Sequence, residues 1–155
     1  MILRKLSLLT LLSVFLSSLS QTSIRLPDII SSGMVLQQQT EVKIWGKATP
    51  GSRISIHTDW TRKDISTEAD ADSTWFLRVT TPKASWHQHV IALRENGNAT
   101  TQVVLSNVLI GEVWFCSGQS NMEMFLNGFG GCPIDGANEE IATAAEWAGR
   151  IRMAN

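Results

Sequence analysis

Several things are scarce or missing in this sequence, and each absence narrows the possibilities. There is no cationic surplus: 13 lysines and arginines face 14 aspartates and glutamates, for a formal net charge of −1. A nucleic-acid-binding chain or one that coats an acidic membrane carries a basic excess, so neither partner is expected. Cysteine occurs only at positions 116 and 132, which allows one internal bridge at most. Beyond the first 20 residues no run is long and apolar enough to cross a bilayer. No internal repeat is visible. Tyrosine is absent, whereas tryptophan numbers six and phenylalanine five. Tryptophan can line a sugar-binding surface but more often packs in a core, so the count alone favours neither. With 155 residues, 43% of them hydrophobic, the chain suffices for one ordinary domain or for one small domain and part of another.

The N-terminus carries an address. Arg4-Lys5 precedes the apolar run from Leu6 to Leu16, and the small residues Ser18 and Ser20 suit cleavage before Gln21. The run is short and interrupted by Ser and Thr, which reads as a signal peptide over residues 1–20 rather than a spanning helix. A secreted or lysosomal destination is therefore expected. Asn98-Ala99-Thr100 is a glycosylation sequon within a polar turn, which fits that route and makes Asn98 the expected acceptor. In an oxidising compartment Cys116 and Cys132 can pair; the alternative is that Cys116 is a buried thiol and Cys132 pairs outside the chain.

From Ile24 to Ser106 short alternating segments are separated by turn chemistry: Glu41 to Trp45, Arg53 to His57, Trp75 to Val79, His87 to Leu93 and Gln102 to Leu105. Pro50-Gly51 is placed for a type II bend, and Asn96-Gly97 for a hairpin. This spacing, without helical periodicity, predicts an antiparallel β-sandwich over residues 21–106. The character then changes. Val108-Leu109-Ile110 and Val113-Trp114-Phe115 read as one buried strand that stops at Ser117-Gly118. A Gly-rich loop follows, from Asn127 to Pro133. Residues 137–148 read as a helix with Ile141, Ala144, Ala145 and Ala148 on one face, and Arg150 to Met153 as the beginning of another strand. A strand, a helix and a second strand open an α/β domain. Such a sheet needs more strands and cover on both faces, so residues 107–155 are expected to be the incomplete start of a second domain, and the chain the N-terminal portion of a longer protein.

The strand-to-turn passage holds the chemistry. Ser120 follows Gly118-Gln119 at a point where a hydroxyl stands clear of a sheet beside free helix N–H groups, a common setting for a nucleophile. The plainer reading makes it a helix cap, for which serine is well suited. Gln119 and Asn121 flank it and are candidates for binding substrate or for satisfying turn backbone. Here the residues carry a resemblance. Gly111 to Met122, GEVWFCSGQSNM, is similar to the first motif of the SGNH (GDSL-like) hydrolases in the form found in sialate O-acetylesterases and related carbohydrate acetylesterases. Leu26-Pro27, Gly33 to Gln37, Ile44-Trp45-Gly46, Pro50-Gly51 and Trp75 follow the order seen before that motif, although Ser73 stands where glycine is more usual. Arg150-Ile151-Arg152 resembles the segment leading to the next strand.

The resemblance implies an accessory sandwich followed by a flavodoxin-like α/β/α hydrolase domain. It implies that Ser120 attacks an acetyl carbonyl of O-acetylated sialic acid or another acetylated glycan, with its own N–H stabilising the oxyanion. Neither a metal nor an organic cofactor is implied. The family's base is a His in an Asp-x-x-His motif. His57, His87 and His89 all lie upstream and outside any such motif, so the chain alone is expected to be inactive, because a serine hydroxyl without a base is a poor nucleophile. A rival reading is a non-catalytic sugar-binding sandwich in which Trp45, Trp60, Trp75 or Trp86 stacks on the ligand; another is an inactive truncated product. His87 and His89, two apart on one strand, have the spacing of two metal ligands, but no third is apparent and an exposed strand face explains them equally. Asp70 and Asp72 have the look of calcium ligands and equally of plain turn chemistry.

Overall fold

A computed structural model describes residues 22–130, 132 and 134–154. The expected signal peptide, and Gly131 and Pro133 of the Gly-rich loop, lie outside the described residues. Seven strands come first: β1 (Val35–Gln37), β2 (Glu41–Lys47), β3 (Arg53–Thr58), β4 (Ile65–Glu68), β5 (Thr74–Thr80), β6 (Ser85–Glu95) and β7 (Val103–Gly111). A single helical turn, α1 (Ser120–Glu123), helix α2 (Ala137–Thr143) and a 3₁₀ turn (Ala144–Trp147) follow. Five strands form one sheet in the order β1-β7-β6-β3-β4, and β2 pairs with β5 in a second.

Alternation in the sequence explains the layering. In β3, Ile54, Ile56 and Thr58 face inward while Arg53 and His57 face out. From the other sheet Ile44, Trp75 and Val79 meet them, joined by Ile91 and Leu93 of β6 and Leu105 and Val108 of β7 in one apolar cluster. Each such fully buried aliphatic side chain contributes about 1.5–3 kcal/mol. Gly46 permits an additional close approach. Arg25 exchanges two backbone hydrogen bonds of 2.8 Å with Lys47, and a Cβ at Gly46 would overlap the Arg25 carbonyl oxygen and press on the Trp75 ring. The Glu95 carboxylate accepts from the N–H and hydroxyl of Ser23, tying the start of the described chain to the end of β6. Burial pushes this carboxyl upward, but these bonds outweigh the burial and leave it below the usual glutamate range.

The expected turns are present. The Ser52 N–H donates to the Thr49 carbonyl across Pro50 and Gly51, with Gly51 at φ 73°, as a type II bend requires. Asn96 and Gly97 both have positive φ at the β6–β7 connection. Ser73, at φ 72°, occupies a left-handed position, which is the physical reason glycine is favoured there. Asp72 accepts from both the N–H and the hydroxyl of Thr74; the hydroxyl bond foremost holds its carboxyl below the usual range. That is turn chemistry, with both bonds accepted by Oδ1.

Three expectations need correction. The sandwich is not purely antiparallel, because β1 runs parallel to β7, with Leu36 opposite Ile110. The expected strand of residues 108–115 does not open a new sheet: its first part continues β7 from Val103, and the strand ends at Gly111. Its neighbours β1 and β6 run out at Gln37 and Ser85, opposite Gly111 and Ile110, so the backbone beyond has no ladder to join. Val113, Trp114 and Phe115 are accordingly exposed rather than buried, Trp114 by 81% and Phe115 by 94%. Residues 150–153 form only an isolated bridge, Ala148 to Ile151, for the same lack of a neighbouring strand. The helix is present as α2 and its 3₁₀ extension, yet only Ala137 is buried, and Ile141 lies in the open. Among the described residues no helix is long and apolar enough to cross a membrane.

Candidate functional site around Ser120

The segment that carries Ser120 is fastened where it leaves the sandwich. Gln37 and Gln38, at the end of β1, each donate a side-chain amide hydrogen bond to the Glu112 carboxylate, at 2.9 and 2.6 Å. The Gln37 side-chain carbonyl accepts from the Val113 N–H at 2.8 Å, and the Gly111 carbonyl from the Gln38 N–H at 2.9 Å. The Gln37 bond first, then that of Gln38, holds the exposed Glu112 carboxyl below the usual glutamate range, since both favour the charged form.

A second fastening closes the excursion at its far end. The Arg152 guanidinium donates to the carbonyls of Gly33, at 2.7 Å, and of Asn107, and to the Asn107 side chain at 2.8 Å. Asn107 stands at φ 55° within β7, so the arginine binds an irregular point of the strand. Residues 113–151 thus leave from one end of the β1–β7 pair and return near the other. Sequence reasoning missed Gln37, Gln38, Glu112 and Arg152 as positioning residues. Their partners lie 45 to 119 positions away, and only the parallel β1–β7 pairing brings them together.

Between the fastenings, residues 112–118 run without regular pairing. The chain then turns once. Gln119 accepts from the N–H groups of Met122 and Glu123, and Ser120 is the first residue of α1. Gly118 leaves room for this turn, because a Cβ there would lie 2.6 Å from the Met122 Cγ and force that side chain to shift. Gln119, Ser120 and Asn121 are all exposed. The Ser120 hydroxyl makes no hydrogen bond to any described residue. The structure therefore places the three predicted site residues side by side on one turn, and the three histidines lie elsewhere. His57 lies 2.7 Å from Asp64 and His89 2.7 Å from Asp59, all within the sandwich.

The other candidates are dispersed. Cys116 and Cys132 are both exposed and unbridged, so the buried-thiol alternative for Cys116 does not hold: its segment lies outside every sheet. Asn98 sits in the β6–β7 connection, where its side-chain carbonyl accepts from the Thr100 N–H. Of the four tryptophans considered for sugar binding, Trp75 is core at 3% exposure, and Trp60 packs against the core and donates to the Thr80 carbonyl. Trp45 and Trp86 remain exposed. Trp45 lies opposite Phe76 in the β2–β5 ladder, where Arg25, Lys43 and Lys47 help line an open groove of about 510 Å³. The Lys43 ammonium sits 4.6 Å from the Phe76 ring centre.

Comparison with known proteins places these features in context. No protein-family profile matches the chain. It is 28% identical over 128 residues to a mouse sialate O-acetylesterase and 30% identical over 129 residues to the human one. These matches cover 79% of this chain but only 23% and 24% of those proteins, so the chain spans about a quarter of the length of the curated relatives it matches. Among solved structures, that of a carbohydrate acetylesterase from Xanthomonas citri superposes with a TM-score of 0.57 at 29% identity, covering 67% of this chain and 23% of the other.

Proposed function

We propose, for a chain that belongs to the sialate O-acetylesterase family over the quarter of its relatives' length that it spans, that Ser120 is the nucleophile with which the whole protein removes O-acetyl groups from sialic acid or another acetylated carbohydrate. The observation that carries this reading is the setting of Ser120. Its hydroxyl is exposed and unengaged on a tight turn, directly after Gly118, in a segment fastened at both ends to a rigid sandwich. A nucleophile needs this combination of access and fixed position.

In this reading the Ser120 oxygen attacks the acetyl carbonyl, and the Ser120 N–H faces the oxygen on which charge develops. The sugar hydroxyl leaves, and water then releases acetate from the acyl-serine. Gln119 and Asn121 stand beside the reacting centre to orient the ester. The proton acceptor is contributed by residues other than the three histidines, which are held in the sandwich, so the 155-residue chain is inactive alone. The fold that completes the site is an α/β/α hydrolase domain entered after β7, from residue 112 onward. The leader at residues 1–20 and the sequon at Asn98 support a secretory route, to the cell exterior or a lysosome.

The test is Ser120→Ala in a protein extended to the relatives' full length. Release of acetate from O-acetylated sialic acid should fall by about 10³-fold or more, as for other serine nucleophiles. Undiminished release would overturn the assignment. A second reading, a sugar-binding sandwich, draws on the exposed Trp45–Phe76 pair and its flanking cations. Titration of this chain with sialosides while following tryptophan fluorescence separates the two: a saturable change lost in Trp45→Ala supports the module, and it leaves the Ser120 result untouched.

A further inference from the structure

The fold brings a third potential ligand to His87 and His89. Strand β6 carries two irregularities of register, one between Ser85 and His89 and one between His89 and Ile91. The two imidazoles differ in environment as a result: His89 is 7% exposed, whereas His87 stands in solvent. Their rings nevertheless meet edge to face, with centres 4.7 Å apart, and Trp60 closes on His89 from 5.0 Å. Asp59 follows β3 and is carried alongside by the pairing of Thr58 with Ile91. Its carboxylate is held in place by the Val90 N–H, which donates to Oδ2 at 3.0 Å, while the Asp59 N–H donates to the Val90 carbonyl. Asp59 Oδ1 lies 2.7 Å from His89 Nδ1, and Oδ2 lies 4.0 Å from His87 Nε2. One ligand atom from each of the three residues falls within 4.8 Å of the others.

We infer that Asp59, His87 and His89 form a binding site for a zinc-type divalent cation. The 4.0 Å separation of His87 from Asp59 is too long for a hydrogen bond. It is close to the span across a tetrahedral ion with ligands at about 2.0–2.2 Å, roughly 3.3 Å from ligand to ligand. On binding, the ion replaces the proton shared between His89 Nδ1 and Asp59 Oδ1; a neutral ring regains its one proton at Nε2 by exchange through solvent, and Nδ1 and Oδ1 separate by a few tenths of an ångström. Two nitrogens and one oxygen suit zinc and its neighbours; calcium and magnesium require more oxygen ligands than this cluster supplies. The exposed side of His87 leaves the fourth position to water. The partner of the His89 ring is the Asp59 carboxylate at Nδ1, while the buried Nε2 has no hydrogen-bond partner, so Nε2 is the nitrogen left to carry the ring proton when Nδ1 ligates the ion. The site lies in the sandwich, apart from Ser120, and clamps the β3–β4 connection to β6.

Calorimetric titration of the metal-free chain with zinc chloride tests this, with cobalt(II) as a spectroscopic substitute. One ion per chain is expected, and cobalt should show the intense visible bands of four-coordination. His87→Ala, a surface change that leaves the fold intact, and Asp59→Asn should each weaken binding by at least about tenfold. His57→Ala, whose Asp64 pair lies outside the cluster, and a Cys116→Ser/Cys132→Ser double variant should bind as the parent does. Absence of saturable binding, binding that His87→Ala leaves unchanged, or binding that the double cysteine variant abolishes would each overturn the inference.

Discussion

Residues 112–154 carry a larger share of apolar side chains than residues 22–111, yet it is the earlier region that buries them, and the two are held by different forces. In the first region Ile44, Ile54, Ile91 and Leu93 are sealed between two sheets. In the second, Trp114, Phe115, Phe125 and Met153 face solvent, and Ala137 is the buried side chain among the core residues there. The sandwich is stabilised by apolar burial. The excursion is positioned chiefly by polar fastenings at Glu112 and Arg152. A region held in this way can be ordered without being independently stable, and it is the region that carries Ser120. Placing reactive groups on loops that a rigid scaffold positions is a common arrangement.

The largest effect should come from the core. Ile54→Ala is expected to cost about 2–5 kcal/mol, the range for truncating a sealed aliphatic side chain, whereas Phe115→Ala should change stability by less than about 0.5 kcal/mol. Urea denaturation of the two variants measures this contrast directly, and equal losses would erase the distinction between the regions. Next, Arg152→Ala removes hydrogen bonds from a charged donor, worth about 1.5–3 kcal/mol in favourable cases. The loss should be local: limited proteolysis within residues 112–151 should accelerate while the unfolding midpoint of the sandwich stays in place.

A smaller change, and a stabilising one, is expected from Ser73→Gly. The backbone at φ 72° disfavours a side chain, and the bonds that Ser73 makes to Asp70 and Ala48 are backbone bonds that glycine keeps. A gain of up to about 1 kcal/mol in thermal unfolding is the expected outcome. The mildest effect concerns pH. The Glu112 carboxyl is lowered from 4.5 by the Gln37 and Gln38 bonds, so its contribution is fully present above that value and is lost as pH falls through the lower folded value. The hydrogen-exchange protection factor of the Val113 amide, which Gln37 also holds, should therefore decline only below pH 4.5. A decline that begins near neutrality would point to a titrating group other than Glu112.

Much of the first region could be read ahead of the structure. Period-two alternation in Arg53 to His57 and Trp75 to Val79 marks half-buried strands, and Pro50-Gly51 and Asn96-Gly97 mark turns by backbone preferences that act locally. The second region misled at Val113-Trp114-Phe115. Apolar character states that burial is favourable, but it does not supply the neighbouring strand or covering layer. The motif around Ser120 was equally apparent, because Gly118 and the residues after it act within a single turn. The Glu112 and Arg152 fastenings and the approach of Asp59 to His89 were not apparent, since each joins residues at least 30 positions apart.

Local composition and spacing therefore determined the strands and turns of the first region and marked the candidate nucleophile, because those features arise from backbone preferences and side-chain periods over a few residues. Tertiary structure alone decided which strands are neighbours, where β7 ends, which tryptophans are core and which three side chains converge at Asp59. These follow from sheet pairing between distant segments, in particular β1 with β7 and β3 with β6. No short window of sequence specifies the partner strand that a ladder will find.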